Sequence, residues 1–572
     1  MLSRIAILMS GAARNPVLSL NFLEMTTLDQ LIDFTRTSAA TYVDATGKIV
    51  QTPASRNLLT FTQEFDNAAW AKAGVTVTPN AALAPDNTVS ADAIIPNLGS
   101  TTSSASQTIS ASAVTGSVFA KAAGFKALEL DFAVAGARVE FDLQNGVVAS
   151  APANWTCSIS SVGNGWYRCV AKPDIAVTRM RVYVKETGDG TSGIFVWGAQ
   201  LEAGSTATDY TRNFGGVYPP RFDYDPVTLA PKGLLIEEQR TNLLLRSEDF
   251  TTSWGAVSTT VTANTTVAPD GTTTADTLTA ATTGAYVQQN VTFTGDGDKA
   301  YSVFLKAGTS TTTRLTLRDT TATVNRGSVD ITWTAGVPSG VATFGTLQGI
   351  DSFGNGWYRV RMLATGVVAA NTNQFRFSPD PIASTGTSIM WGAQTENGSF
   401  ATSYIPTVAS QVTRTADVAT ITGANFSQWY NQTEGTFVVG YGQATGTTPR
   451  ALVVANDGTN NNNVGLYADG SNDLNNQPAV AVVTSSVSQV NINMPAVAQN
   501  ATHKMAFSYK TDDFAVSVDG GAVLTDTSGT VPTVNRLDIG NRISTLFNNG
   551  HIRSIQYYNT RLPNAQLQAL TA

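Results

Sequence analysis

Apolar and polar residues alternate at every second position along most of this chain. In KAYSVFLKAG (Lys299–Gly308), one face holds Tyr301, Val303 and Leu305. The other face holds Ser302, Phe304 and Lys306. Gly, Asn, Asp or Pro separate such short runs, and no long segment with a helical period lies between them. Because a period of two places successive side chains on opposite faces of a sheet, the pattern predicts an all-β protein built of sandwiches or jelly rolls.

An internal repeat is the second strong pattern. The hexapeptide GNGWYR occurs at Gly163–Arg168 and again at Gly354–Arg359. Longer phrases recur in the same order, with a slowly drifting offset: Ser55–Trp70 with Arg240–Trp254, Ala84–Ile94 with Ala268–Leu278, Ser117–Ala122 with Ser302–Ala307, and Val196–Tyr210 with Met390–Tyr404. Repeated phrases of this length predict two tandem jelly-roll β-sandwich domains with small loop insertions.

The repeated hexapeptide combines a turn with the start of a strand. Asn164 and Gly165 suit a tight turn with positive φ, and the strand that follows places Trp166 and Arg168 on one face and Tyr167 on the other. We interpret the repeated residues mainly as packing of the duplicated fold, with direct ligand contact as the alternative. The set is Trp166, Tyr167, Arg168, Trp197, Trp357, Tyr358, Arg359 and Trp391.

The pattern divides the chain into five segments. We predict an N-terminal anchoring segment (1–54), a first jelly roll (55–213), a Pro-rich connector (214–239), a second jelly roll (240–410) and a different β-sandwich (411–572). In the last segment, His503–Asp526 contains three β runs with a tight turn at Asp519–Gly521. The chain ends in a short helix with Leu567 and Leu570 on one face.

Composition limits the classes of partner. Charged residues make up 13% of the chain, the net charge is −7, and no Lys/Arg run occurs. Nucleic acid and anionic membranes both require concentrated positive charge, so neither is expected as a partner. No apolar run is long enough to insert into a membrane, and the run at Ile5–Met9 is too short for a signal peptide.

The two cysteines indicate a reducing compartment without settling their pairing. Cys157 and Cys169 flank the first hexapeptide and could face each other across a hairpin. The second copy has Val360 in place of Cys169, so the fold does not require a bridge. Two isolated thiols are typical of a chain made in a reducing cytoplasm.

The residues needed for catalysis are scarce. The only histidines, His503 and His551, stand on separate segments, which argues against a His-centred triad. The adjacent acids Glu237/Glu238 and Asp512/Asp513 point in opposite directions in a strand, and we interpret them as solvated loop charges. No nucleotide-binding motif is present. We therefore predict that the protein is not an enzyme and has no organic cofactor.

Two kinds of polar loop are candidate binding sites. Acidic, Gly-bent loops could hold structural calcium, with ordinary turns as the alternative: Asp189, Asp296 and Asp298. The amide-rich stretch Asn456–Gln477 offers groups that hydrogen-bond to sugars and a ring that stacks on them, with a solvated loop as the alternative. Its candidate carbohydrate-binding residues are Asn460, Asn462, Tyr467, Asp469, Asn472 and Asp473.

Several long phrases resemble phage head-spike-fibre and tail-fibre-like virion proteins. They are Phe34–Val50, Pro220–Phe250, both GNGWYR hexapeptides, WGAQLE, Asn425–Phe437 and Gly550–Leu570. The resemblance implies carbohydrate-binding-module-like jelly rolls and a C-terminal laminin-G or concanavalin-A-like domain. In that family the first phrase leads directly into PRFDYDP, whereas here Ser55–Asn213 is inserted between them.

The same resemblance implies a function. It indicates a trimeric fibre or spike of tail or capsid, displayed on the virion surface and assembled in the host cytoplasm. The first 33 residues would bind other virion proteins, and the sandwiches would bind a host-surface glycan without catalysis. A ligand-free structural spacer and a polysaccharide depolymerase are the alternatives.

Overall fold

The computed structural model describes residues 15–572 except 30, 54–55, 133–136, 214, 216–217, 443–448 and 470–476. The chain divides into two compact units. The smaller unit contains residues 34–37 and 53–219, and the larger unit contains the described residues of 1–33, 38–52 and 220–572. Four short strands precede the first sandwich: β1 (Leu18–Asn21), β2 (Asp33–Thr35), β3 (Thr41–Val43) and β4 (Ile49–Gln51).

The first sandwich lies in the smaller unit and is entirely antiparallel. Its strands are β5 (Ala71–Ala73), β6 (Val75–Leu83), β7 (Val89–Pro96), β8 (Ser103–Ala113), β9 (Thr115–Ala123), β10 (Ala127–Asp131), β11 (Arg138–Asp142), β12 (Val147–Ser150), β13 (Thr156–Gly163), β14 (Trp166–Lys172), β15 (Val177–Val184) and β16 (Gly193–Glu202). One sheet has the order β12-β11-β10-β15-β8-β5, and the other β13-β14-β9-β16-β7-β6. Their inner faces share one apolar core that includes Leu128, Val182, Val118 and Ile194.

The second sandwich, in the larger unit, repeats this arrangement. Strands β17 (Arg221–Tyr224), β18 (Pro231–Ile236) and β19 (Arg240–Asn242) precede it. Its own strands are β20 (Gly255–Val257), β21 (Thr259–Thr266), β22 (Ala275–Ala280), β23 (Tyr286–Val291), β24 (Gly297–Ala307), β25 (Thr312–Asp319), β26 (Val324–Thr334), β27 (Val337–Phe344), β28 (Thr346–Ser352), β29 (Trp357–Val367), β30 (Asn373–Ser378) and β31 (Thr387–Asn397). The sheet orders, β27-β26-β25-β30-β23-β20 and β28-β29-β24-β31-β22-β21, match the first sandwich strand for strand, which confirms the predicted duplication.

The third sandwich is different and completes the larger unit. Its elements are β32 (Val412–Arg414), β33 (Val418–Thr422), α1 (Gly423–Ser427), β34 (Glu434–Gly442), β35 (Arg450–Asn456), β36 (Asn463–Asp469), β37 (Ala479–Thr484), β38 (Val487–Asn493), β39 (Thr502–Lys510), β40 (Phe514–Val518), β41 (Leu524–Asp526), β42 (Arg536–Ile539), β43 (Gly550–Tyr558) and α2 (Asn564–Thr571). In one sheet β33, β42, β35, β36, β37 and β38 are neighbours in that order; the other contains β17-β18-β43-β34-β39-β40-β41, with β1 also paired to β43.

These findings confirm the predicted all-β class and the tandem sandwiches. The three β runs of His503–Asp526 and the turn at Asp519, whose φ is 50°, are present. In α2 both predicted apolar residues pack against the sheet, and Leu567 is fully buried. None of the helices in the described part of the chain is long and apolar enough to cross a membrane.

Two of the predicted segments supply strands to the third sandwich. Within the predicted Pro-rich connector (214–239), β17 and β18 form a hairpin whose second strand pairs with β43 of the third sandwich. Within the predicted N-terminal anchoring segment (1–54), β1 pairs with the same strand, Leu18 opposite Tyr557. A sheet edge needs hydrogen-bond partners, and these chain-distant strands supply them.

The repeated tryptophans lie on the outer face of one sheet in each sandwich. Trp166 and Trp197 cluster with Phe119 there, while Tyr167 packs against the core between the sheets. In the second copy Trp357, which is 2% exposed, donates its Nε1–H to the carbonyl oxygen of Val267 at 2.9 Å. Each indole therefore has a polar partner, as a buried tryptophan requires.

The hexapeptide turn has the predicted geometry in both sandwiches. Asn164 and Gly165 have φ of 52° and 77°, and Asn355 and Gly356 have φ of 50° and 79°. The left-handed backbone at both central positions is that of a type I′ hairpin turn. The hexapeptide is therefore a folding element in both copies.

Gly392, in the second WGAQ motif, offers a test of how closely this aromatic cluster packs. Its φ is +63°, and a Cβ there would lie 2.8 Å from Cδ2 of Phe304. We expect Gly392→Ala to lower the free energy of unfolding by ~1–3 kcal/mol, because the added methyl overpacks the cluster. Equilibrium denaturation of the purified chain measures this.

Gly295→Ala is the matched control, because Gly295 also has a positive φ (+73°) but has no atom within 4 Å of an added Cβ. Both variants carry the cost of the left-handed backbone, so their difference reports packing alone. Equal losses for the two variants would contradict close packing at Gly392.

Candidate functional site

A cavity of about 840 Å³ lies in the larger unit. Three parts of the unit line it: the β3–β4 hairpin, the β17–β18 hairpin, and facing edges of the second and third sandwiches. The lining residues include Tyr42, Lys232, Phe353, Arg359 and His551. A volume of this size is that of a small-molecule or short-oligomer site.

The β3–β4 hairpin is fixed against the second sandwich. Its Val43 and Ile49 belong to the same buried cluster as Trp357 and Trp391 of the second sandwich. The amide of Ile49 donates to the carbonyl oxygen of Pro269 at 3.1 Å. One wall of the cavity is thus built on the repeated tryptophans, although their own rings are buried.

A buried ionic network lies behind the cavity. Arg221 pairs with Glu237 at 2.8 Å and with Asp417, and Arg414 also pairs with Glu237. Ser403 donates to Glu237 from both its amide and its hydroxyl, each at 2.7 Å. All four charged residues are at most 4% exposed. The network joins β17, β18, β32 and the loop after β31.

The prediction that Glu237 is a solvated loop charge is wrong. Burial opposes its ionisation, but Arg414 and Arg221, together with the hydrogen bonds from Ser403, hold the pKa of Glu237 well below its ordinary value. Its neighbour Glu238 is partly exposed and pairs with Arg240. Both acids directly follow the end of β18, and the chain there places Glu237 inside and Glu238 at the surface.

A histidine–aspartate pair stands on the cavity wall. Nε2 of His551 lies 2.8 Å from Oδ2 of Asp223, whose Oδ1 accepts the amide of Val43 at 2.7 Å. Burial lowers the pKa of His551 in spite of Asp223, so the neutral ring donates to the carboxylate. This pair ties β17 to β43 and to the β3–β4 hairpin.

Of the predicted sugar-binding residues that the structure describes, two lie in a loop and two are buried. Asn460 and Asn462 lie in the loop between β35 and β36, where Asn462 donates to Asp457 at 2.8 Å. Tyr467 is 6% exposed and Asp469 is fully buried, pairing with Arg450. This burial contradicts their predicted role at an exposed surface.

The last two predicted sugar-binding residues, Asn472 and Asp473, lie outside the described residues.

The predicted calcium loops are turns closed by their own chain. Asp189 accepts the amides of Thr191 and Ser192 at 2.8 and 2.6 Å, and Asp296 accepts the amide of Ala369 at 2.8 Å. Among the residues that the structure describes, no three His, Cys, Asp or Glu side chains are grouped to hold a metal ion. These contacts give no support to calcium at Asp189, Asp296 or Asp298.

Both cysteines are free thiols. Cys157 lies opposite Ala171 and Cys169 opposite Ile159 in the β13–β14 pairing, so the two are not cross-strand partners. Burial raises the pKa of Cys169, which keeps this thiol protonated and unreactive.

Comparison with known proteins yields distant structural similarity alone. No protein-family model matches the sequence, and no curated protein matches it significantly. The CBM40 of the Ruminococcus gnavus IT-sialidase, bound to α2,3-sialyllactose, is similar at 17% identity and a TM-score of 0.23, covering 26% of this chain and 88% of that one. Another domain-sized match is domain 4 of AbnA, an extracellular arabinanase of Geobacillus stearothermophilus, in complex with arabinotriose. It is similar at 14% identity and a TM-score of 0.22, covering 27% of this chain and 73% of that one.

The NanB sialidase of Streptococcus pneumoniae matches at 14% identity and a TM-score of 0.23, over 26% of this chain and 26% of that one. Similarity of this extent gives no functional information about the present chain.

The ionic network predicts a large loss of stability when one partner is neutralised. We expect Glu237→Gln to lower the free energy of unfolding of the larger unit by ~3 kcal/mol or more, because it leaves Arg221 and Arg414 buried without their shared carboxylate. Chemical denaturation followed by tryptophan fluorescence measures the loss.

The control is Asp351→Asn, which removes the half-exposed partner of Arg361 at 2.6 Å. We expect it to cost at most ~1 kcal/mol, because solvent screens that pair. Similar losses for the two variants would refute the special role of the network.

Acidification tests the same carboxylate. Because the pKa of Glu237 is lower in the folded than in the unfolded chain, its contribution is complete above the ordinary glutamate pKa and is lost as pH falls below it. We expect the stability of the wild type to fall more steeply below about pH 5 than that of Glu237→Gln. Parallel acid-unfolding curves would contradict this.

Proposed function

We propose that this chain is a non-catalytic adhesin of a phage particle, a fibre or spike subunit that binds a host-surface carbohydrate. The observation that carries glycan binding is the cavity in the larger unit, with a volume of about 840 Å³. The half-buried rings of Tyr42 and Phe353 line it beside hydroxyl and amide groups such as those of Thr502 and Asn500. Aromatic faces combined with hydrogen-bonding groups are what a sugar ring requires.

The architecture supports adhesion over a purely enzymatic role. Both histidines of the chain are held by aspartates, His503 by Asp519 at 2.6 Å and His551 by Asp223. Of the carboxylates that line the cavity, Glu237 is ion-paired with two arginines and Asp223 is bound by a histidine. Hydrolysis of a glycosidic bond uses two carboxyl groups, one of them protonated, whereas the partners of Glu237 and Asp223 lower the pKa of both.

The virion setting rests on the phrases shared with phage fibre and spike proteins. In this proposal the sandwiches extend from a particle to which the N-terminal segment is attached, and three chains assemble side by side. The charged fraction of 13% gives these surfaces little mutual repulsion.

Binding to polysaccharide tests the function. We expect the full chain to bind at least one bacterial surface polysaccharide on an array and to release no reducing ends from it, because the sandwiches hold the ligand without cleaving it. Biolayer interferometry and a reducing-sugar assay on the same samples make the measurement.

The matched control is a Tyr42→Ala, Phe353→Ala double variant, which removes two rings from the cavity wall. Its loss of binding with retained folding supports the cavity as the site. Absence of wild-type binding across the panel favours the ligand-free spacer, and release of reducing ends favours the depolymerase.

A further inference from the structure

The charged groups around the cavity include carboxylates that are bound within the protein and three cations that have no carboxylate in contact among the residues described. Asp223 is bound by His551, and Asp351 pairs with Arg361. Asp225 accepts two backbone amides of its own turn, those of Val227 at 3.0 Å and Thr228 at 2.8 Å. Glu237, the fourth carboxylate, belongs to the buried network. Each acidic group that lines the cavity is therefore already bound within the protein.

Three of the basic groups that line the cavity lack such a partner in the part of the chain that the structure describes. No carboxylate of the described residues lies within 4.0 Å of Arg359, Lys232 or Arg553, and all three line the cavity. Lys232 and Arg553 are half-buried, and Arg359 is 7% exposed. A buried cation with no carboxylate in direct contact is costly, so an anion that enters the cavity would be bound favourably.

Arg359 is the central group of this arrangement. Its Nη2 donates to the hydroxyl of Ser302 at 3.0 Å, and its guanidinium lies over the ring of Phe304, 5.4 Å from the centroid. The equivalent Arg168 of the first sandwich donates to Ser117 at 3.2 Å and also to the carbonyl oxygen of Thr208. The second-copy arginine thus keeps the stacked position and has more donors left for a ligand.

We propose that the cavity binds a carboxylate-bearing saccharide, with the acid group on the guanidinium of Arg359 and Lys232 and Arg553 adding positive charge. This rests on the proposed glycan adhesion and names the class of glycan. A planar guanidinium with free donors matches a carboxylate in two parallel hydrogen bonds. The rings of Tyr42 and Phe353, which also line the cavity, provide apolar contact for the sugar ring.

The test uses the full chain and a panel of uronic-acid polysaccharides, each beside its carboxyl-reduced derivative. We expect the chain to bind at least one acidic member about tenfold or more tightly than its reduced derivative, because only the acid engages the arginine. Arg359→Gln should lose that preference. Arg168→Gln, which removes the same residue from the other copy of the hexapeptide, should keep it.

The outcomes separate this inference from the broader proposal. Equal binding of acidic and reduced members, or full acidic binding by a folded Arg359→Gln, overturns the carboxylate site and leaves glycan adhesion standing. Binding of no member of the panel overturns both. If Arg359→Gln fails to fold, Lys232→Met takes its place, with a smaller loss of preference expected and an unchanged preference contradicting the inference.

Discussion

A buried network of two arginines and two carboxylates holds the larger unit together. Its members come from β17, β18, β32 and the region just before β33, and Ser403 joins them from the loop after β31. Buried charges are stable only when every partner is in place. The network therefore fixes the β17–β18 hairpin, the end of the second sandwich and the start of the third sandwich in one arrangement. In a chain with so few charged residues, this concentration of ion pairs is the main specific constraint on assembly.

The cavity follows from that constraint. Glu237 is ion-paired within the network and Asp223 is hydrogen-bonded to His551. These carboxylates therefore have few acceptor sites left for a ligand. Arg359 remains, stacked on Phe304 by the same sheet geometry that places its twin Arg168 on Phe119. The duplicated hexapeptide is thus a folding element in both sandwiches. In the second sandwich, the β3–β4 and β17–β18 hairpins lie next to it, and together they enclose the cavity.

Sequence patterns predicted what is local or repeated. The period of two gave the strands, and the Asn-Gly pairs gave left-handed turns at Asn164 and Asn355. The sequence could not show that Glu237 is buried, because its partners Arg221 and Arg414 are brought to it only by the fold. It also misplaced Tyr467, because β36 is buried on both faces within an amide-rich stretch whose composition is typical of a loop.

A structure of the full chain with a bound acidic oligosaccharide from the panel tests the account most directly. The account predicts ligand density in the cavity between the β3–β4 hairpin and β43, with a carboxylate against Arg359. Density elsewhere, for example along the loop that contains Asn460 and Asn462, or density in the cavity with the carboxylate turned away from Arg359, would contradict it.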